Sequence, residues 1–433
     1  MSLKFGTDGV RAEAFTVLTT EYVAALANAA AQVLGGGQWL IGRDTRESGP
    51  AFEAALAAGL AAGCGQPVSL GVVPTPALAW LAAQRGVPAA MITASHNPWQ
   101  DNGVKFFAPG GLKLPDHVEQ AIEAVLQLAG PAAHAVVPSH SDALLDYVAH
   151  IESLGGSLAG LRVVLDCANG AMSVAAPAAF RALGADVVVI HDTPDGRNIN
   201  DRCGATHTAS LAATVVAQGA HLGLAFDGDG DRVIAIDEGG NPVDGDRLIA
   251  LAALQLRDEG RLHADTVVVT VMSNLGFHKA MADAGIEVLT TAVGDRYVLE
   301  ALDAHGHSVG GEQSGHIIYR DLATTGDGLL AGMRLAQFVH EGGHSLAALA
   351  AGVMTSYPQV LVNVRVAQRH PDAADELAAE IASAEASLGG DGRILVRASG
   401  TEPLIRVMVE AATHDLAQSV ADGLAAVAHT RFG

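Results

Sequence analysis

Apolar positions along the chain follow two alternating periods. Short runs rich in β-branched residues, at Trp39–Asp44, Ala89–Ala94, Arg162–Asp166, Asp186–His191, Leu222–Phe226, Val233–Asp237, Thr266–Met272 and Glu287–Ala292, predict strands. Ala/Leu-rich stretches between them, at Pro50–Ala62, Glu119–Leu128 and Pro177–Leu183, predict helices. Strand followed by helix, with the rhythm restarting twice, predicts βαβ units and mainly parallel sheets covered by helices on both faces. From about Gln359 the order changes: two β-rich runs, Arg393–Arg397 and Leu404–Ala411, lie close together between a helix over Asp372–Ser387 and a last helix. The expected fold class is therefore α/β, with three α/β/α units of mixed, mainly parallel sheets and a smaller C-terminal α+β domain. Seams near His134–His140, Asp244–Leu256 and Tyr357–Pro358 divide it as 1–150, 151–250, 251–358 and 359–433.

Composition narrows the functional classes. The chain has 433 residues, 25 basic and 47 acidic, for a net charge of −22, and 49% are hydrophobic. That apolar content fills packed cores and excludes global disorder. The acid excess speaks against nucleic acid and anionic membrane as partners. The start, MSLKFGTDGVR, lacks the apolar stretch of a signal peptide, and the most apolar tract, Ala54–Ala62, is a poor membrane span, so a cytoplasmic location is expected. Cys64, Cys167 and Cys203 are odd in number and lack CxxC spacing, which argues against a disulfide framework or a zinc knuckle. Lysines number only four, Lys4, Lys105, Lys113 and Lys279, so each is worth locating.

Two familiar patterns fail on their physics. His340–His344 spells HExxH, but two consecutive glycines break the helix that must present both imidazoles. Asp227–Asp231 resembles the start of an EF-hand loop, yet Arg232 stands where that loop needs glycine, and its flanks read as strands. No GxxxxGK[ST] loop occurs.

Four other segments carry chemistry. Thr93–Pro98 (TASHNP) follows an apolar strand, which puts the Ser95 hydroxyl and His96 at the carboxyl edge of a sheet, with Lys105 close behind. Asp227, Asp229 and Asp231 place three carboxylates in five residues beside Arg232, a hard-oxygen set suited to Mg²⁺. Gly310–His316 offers Glu312 and Ser314 for sugar hydroxyls and His316 for proton transfer. Arg397, Ser399, Gly400, Thr401 and Arg406 make an anion cradle suited to a phosphate monoester. The four segments fall in four units and imply one central cleft that handles a phosphosugar.

With FGTDGVR (Phe5–Arg11) at its start, TASHNP, DGDGDR, GEQSGH and RASGTEP in that order, the chain closely resembles the α-D-phosphohexomutase superfamily over its whole length. Within it, the branch acting on glucosamine phosphates is the most similar, although Ala12 and Thr93 depart from that branch's pattern, and mannose or glucose phosphates remain the alternative. The resemblance implies interconversion of glucosamine 6-phosphate and glucosamine 1-phosphate, with Ser95 carried as phosphoserine and a hexose 1,6-bisphosphate as intermediate and primer. It further implies Mg²⁺ on Ser95, Asp227, Asp229 and Asp231, and Lys105 and His316 as proton carriers, with His96 and Arg11 supporting the phosphoserine. Arg232, Glu312, Ser314, Arg397, Ser399, Gly400, Thr401 and Arg406 would bind substrate. A homodimer is left open.

Overall fold

The structure is a computed structural model that describes residues 3–6, 8–127, 139, 142–399 and 403–433. It divides into two compact units, Met1–Met272 with Ile286–Gly352, and Ser273–Gly285 with Val353–Gly433.

The first unit holds three sheets. In the first, β1 (Val10–Glu13), β2 (Gly37–Arg43), β3 (Gly65–Val72), β4 (Ala89–Ile92) and β5 (Asp101–Ala108) run in the order β1-β5-β4-β2-β3, with β6 (Leu112–Lys113) pairing β5. The second contains β7 (Arg162–Asp166), β8 (Asp186–Ile190), β9 (Leu222–Phe226), β10 (Val233–Asp237) and β11 (Pro242–Val243) in the order β11-β10-β9-β7-β8. The third orders β12 (Thr266–Thr270), β13 (Glu287–Thr291), β14 (Val309–Gly311) and β15 (Ile317–Tyr319) as β13-β12-β14-β15. Helices such as Thr20–Leu34 and Gly49–Ala62 bury Val23, Leu26, Phe52 and Leu56 against Trp39 and Ile41 of the first sheet. The sheets are mixed, as expected, but antiparallel neighbours are as common as parallel ones.

One design recurs in all three. A strand with a parallel neighbour ends in a polar loop, and the chain returns antiparallel beside it: β4 to β5, β9 to β10, and β14 to β15. Those three loops are the TASHNP, DGDGDR and GEQSGH segments. A buried core strand thus delivers each polar loop to a sheet edge.

Local rules were overridden in places. The helix expected to begin at Pro177 runs from Met172 to Ala182 with the proline inside it. Its start is fixed from outside, because Ala171 N–H donates to the Gly228 carbonyl at 2.8 Å, and this tertiary anchor outweighs the missing proline N–H. In the C-terminal unit the stretch read as one helix is two, Ala373–Glu376 and Ala378–Leu388, broken at Leu377, whose side chain is drawn fully into the core. The helix Gly328–Gly342 ends at Gly343, in left-handed conformation, so HExxH spans a helix end rather than one helical face.

The second unit is an antiparallel sheet, β16 (Gln359–Arg365), β17 (Arg393–Ala398) and β18 (Leu404–Glu410), ordered β16-β18-β17 under the helix His414–Phe432. The helix Leu275–Asp283 belongs with it. Its first N–H donates to the Glu410 carboxylate at 2.9 Å, which Arg393 also holds at 3.0 Å. Among the described residues no helix is long and apolar enough to cross a membrane.

Candidate active site

Ser95 sits in a tightly fixed backbone. Its φ is +52, a region in which a side chain is strained. The fully buried Asp44–Arg46 pair sets the loop: Asp44 accepts from Thr93 Oγ1 at 2.7 Å, and Thr93 Oγ1 accepts the Ser95 N–H at 2.9 Å. Arg46 donates to the carbonyls of Ser95, Asn97 and Asp101 at 3.0, 2.8 and 2.9 Å, and to that of Pro98. Asn200 adds a donor to the Ser95 carbonyl at 2.8 Å. Gly228 packs so close that a Cβ there would meet the Ser95 carbonyl at 2.6 Å.

The hydroxyl of Ser95 donates to Asp227 Oδ2 at 2.6 Å, which joins the first polar loop to the second. Asp227, Asp229 and Asp231 are all buried and each offers one oxygen within 4.8 Å of the others, so the triad could hold a metal ion. Thr75 Oγ1 donates to Asp229 Oδ2 at 2.7 Å. Asp229 Oδ1 and Asp231 Oδ1 are buried without a hydrogen-bond partner, which is costly unless a cation meets them. Burial, then Asp231 and Asp229, push the Asp227 carboxyl well above the usual range. Burial works the same way on Asp231, but Lys105 and His316 outweigh it and hold that carboxyl well below the range.

Lys105 lies in β5 with its ammonium 2.7 Å from Asp8, 2.9 Å from Asp229 and 3.2 Å from Asp231. Burial opposes the charge, yet these three carboxylates raise its pKa well above the ordinary value. His316 is buried with Nε2 3.2 Å from Asp295 and Nδ1 3.7 Å from Asp231. Desolvation would lower its pKa, but Asp295 and Asp231 raise it. The backbone passes the ring closely: a Cβ at Gly326 would lie 2.4 Å from His316 Nε2. His96 Nδ1 is 3.4 Å from Ser95 Oγ, and burial, followed by Arg232 and Arg11, takes its pKa down to about 4.

Arg11 forms an ion pair with Asp8. Arg232 Nε is 3.9 Å from Asp231 Oδ1. Glu312 accepts the Gly294 N–H at 3.2 Å, and burial raises its pKa; Ser314, next to it on the third loop, is exposed. Three partners were not read from the sequence: Asp8, Lys113 and Asp295. Lys113 bridges Asp8, at 2.9 Å, and Asp295, which continues to His316. The scarcity of lysine was the one signal that marked Lys113; Asp295 has no local pattern around it.

In the C-terminal unit Arg397 and Arg406 stand directly opposite each other across β17 and β18. Burial, then Arg406, lower the pKa of Arg397. Facing like charges destabilise a strand pair, so the hairpin is poised for an anion. Ser399 is buried, and its N–H donates to the Leu404 carbonyl at 2.8 Å. Gly400 and Thr401 lie outside the described residues.

Comparison with known proteins divides the chain into four domains. Models of the phosphoglucomutase/phosphomannomutase family match throughout: α/β/α domain I at residues 2–130, domain II at 142–240, domain III at 244–357 and the C-terminal domain at 361–427. A phosphoglucosamine mutase of Frankia casuarinae is 52% identical over 98% of both chains. One from Rhodococcus jostii is 50% identical over 98% of this chain and 99% of its own. Among solved structures, a phosphoglucomutase/phosphomannomutase family protein of Burkholderia thailandensis aligns with a TM-score of 0.81 at 23% identity, covering 98% of this chain and 97% of that one. An Aspergillus fumigatus N-acetylphosphoglucosamine mutase, solved with GlcNAc-6P and magnesium, has a TM-score of 0.71 at 20% identity over 100% and 96% of the two chains.

Proposed function

Because the chain belongs to the phosphoglucomutase/phosphomannomutase family of phosphohexomutases, we propose that it interconverts glucosamine 6-phosphate and glucosamine 1-phosphate through a phosphorylated Ser95. The observation that carries this reading is the Ser95 hydroxyl, 2.6 Å from Asp227 within a buried triad of carboxylates. About 50% identity over the full length to phosphoglucosamine mutases supports the amino sugar over mannose or glucose.

In the forward direction the free C1 hydroxyl of the sugar attacks the phosphorus of phosphoserine 95. The P–O bond to Ser95 Oγ breaks, its electron pair stays on Oγ, and the hydroxyl proton passes to a side chain. The resulting 1,6-bisphosphate turns over, and Oγ takes the 6-phosphoryl group by the reverse chemistry. Lys105 and His316 handle the moving proton, each at the meeting point of carboxylates that hold its charge. His96, uncharged at neutral pH, places Nδ1 3.4 Å from Oγ, and Arg11 and Arg232 supply positive charge near it. Glu312 and Ser314 orient sugar hydroxyls, and Arg397, Ser399 and Arg406, with Gly400 and Thr401, grip a phosphate that is not being transferred.

Asp227, Asp229 and Asp231, with Ser95, would hold Mg²⁺, and the two buried oxygens that accept no hydrogen bond, Asp229 Oδ1 and Asp231 Oδ1, fit such a hard cation. When bound, it offsets the negative charge of phosphoryl transfer. A hexose 1,6-bisphosphate serves as primer for the resting enzyme. The expected location is the cytoplasm, where phosphosugars are made.

Ser95→Ala is the decisive variant. Mutase activity should vanish, and intact-mass measurement should find one phosphate on the native protein and none on the variant. Substantial turnover by Ser95→Ala with a bisphosphate primer would refute the mechanism. A competition of kcat/KM among glucosamine, mannose and glucose 6-phosphates decides the sugar, the first being expected to lead.

A further inference from the structure

A second cluster of metal-ligating side chains lies in the second sheet, outside the machinery described above. Asp166 ends β7, His191 follows the parallel strand β8, and Cys203 lies in the loop beyond. One oxygen, one ring nitrogen and one sulfur from the three lie within 4.8 Å of one another. We propose that Asp166, His191 and Cys203 bind a transition-metal dication of the zinc type, at a site separate from the Asp227 triad.

The donor set selects the ion. Thiolate and imidazole suit Zn²⁺ or Co²⁺, whereas Mg²⁺ prefers oxygen alone. A tetrahedral zinc site keeps such donors roughly 3.3–3.7 Å apart, given metal–ligand lengths of about 2.0–2.3 Å. His191 Nδ1 is already 3.1 Å from Asp166 Oδ1, and all three donor atoms lie within 4.8 Å of one another. The His191 nitrogen is buried and pairs with the Asp166 carboxylate when the ring is protonated; a dication between them would take the place of that proton.

The surroundings fit a ligand cage. Asp166 is fixed by the N–H groups of Ala168 at 2.9 Å and Gly204 at 3.0 Å, which orient a carboxylate as outer partners of metal ligands do. Asp166 and Cys203 are fully buried, while the His191 side chain is 31% exposed and leaves a route in from solvent. Without a cation the Cys203 thiol keeps its proton, since burial, then Asp166 and Asp201, push its pKa to about 12. Binding forms the metal–sulfur bond and releases that proton to solvent. Ala168, Asn169, His191, Asn200 and Arg202 are five of the ten non-glycine residues in left-handed backbone among the described residues. Strain of this kind persists where the surroundings over-determine it.

The site has a consequence for the Ser95 loop. Asn200 N–H donates to the Ala168 carbonyl at 2.9 Å, and its side chain donates to the carbonyls of Ser95 and Asn97. A metal joining the loops on either side of Asn200 fixes the donor that supports that loop.

The test uses the full-length protein, stripped with chelator and held in excess Mg²⁺ so that oxygen sites are filled. One equivalent of Co²⁺ should produce a thiolate-to-cobalt charge-transfer band in the near ultraviolet. Cys203→Ser should abolish it, Cys64→Ser should retain it, and His191→Ala should weaken cobalt binding at least tenfold. Absence of the band in the native protein, or its survival in Cys203→Ser, overturns the proposal. The band does not depend on turnover, so it stands or falls apart from the mutase reading.

Discussion

Replacing Ser95 by alanine and by glycine separates chemistry from backbone strain. Both variants lack Oγ and should lose turnover. They differ only in Cβ, and the native backbone at this position has a φ of +52. A side chain in that region costs roughly 1–2 kcal/mol, because Cβ crowds the carbonyl oxygen. Three fixed points impose it: the N–H bond to Thr93, and the carbonyl bonds from Arg46 and Asn200. Glycine relieves the strain but gives back about 0.4–1 kcal/mol through the greater freedom of the unfolded chain. Ser95→Gly should therefore be more stable than Ser95→Ala by about 0.8 kcal/mol. Loss of the hydrogen bond to Asp227 is common to both and cancels. With a urea m-value of about 3 kcal/mol/M, the midpoints should differ by about 0.3 M. Coincident midpoints, or a more stable alanine variant, would show that the loop relaxes and that the left-handed conformation is not imposed.

Two further outcomes follow from buried charge. Lys113→Met leaves Asp8 and Asp295 without the cation they share, and should destabilise the first unit by about 3 kcal/mol in urea unfolding; a loss under about 1 kcal/mol would mean that Lys105 and His316 carry the balance alone. Asp327 is buried and accepts from Tyr147 Oη at 2.8 Å; burial raises its pKa to about 6. The folded protein then binds more protons than the unfolded chain between about pH 4 and 6, so this residue's contribution is full below that window and falls by about 3 kcal/mol as pH rises through it. Asp327→Asn should flatten the stability profile there, and an unchanged slope would count against the shift.

The sequence revealed the parts of the site whose chemistry is local. Ser95, the three aspartates, Lys105 and His316 stand in or beside short polar segments after apolar runs, and the structure brings them together in the first unit. Their partners are long-range. Lys113 and Asp295 are 182 residues apart, and no spacing rule links them. The strands Val309–Gly311 and Ile317–Tyr319 have three residues each, too few for a period to register. Pro177 misplaced a helix start because the Gly228 contact that fixes it comes from another strand's loop. The Asp166–His191–Cys203 cluster was hidden for a related reason: spacing rules for cysteine motifs look along the chain, whereas this set is assembled from three elements.

The charges shared by the three polar loops also bear on how the chain is built. The first layer brings Arg11, Lys105 and Lys113 against Asp8; the second brings three aspartates and Arg232; the third brings Asp295 and His316. Neither of the first two layers closes its own charge balance. As the chain leaves the ribosome, the first sheet can complete its apolar core, but its lysines have no dry partner beyond Asp8 until Asp229 and Asp231 arrive. Asp295 must follow before Lys113 can lose its water. The interior faces therefore stay hydrated until residues near His316 have been made, and a chain stopped after the second layer would keep Lys113 in solvent. Complementary charge acts in this way as a check on completeness, dehydrating the centre only when every layer is present.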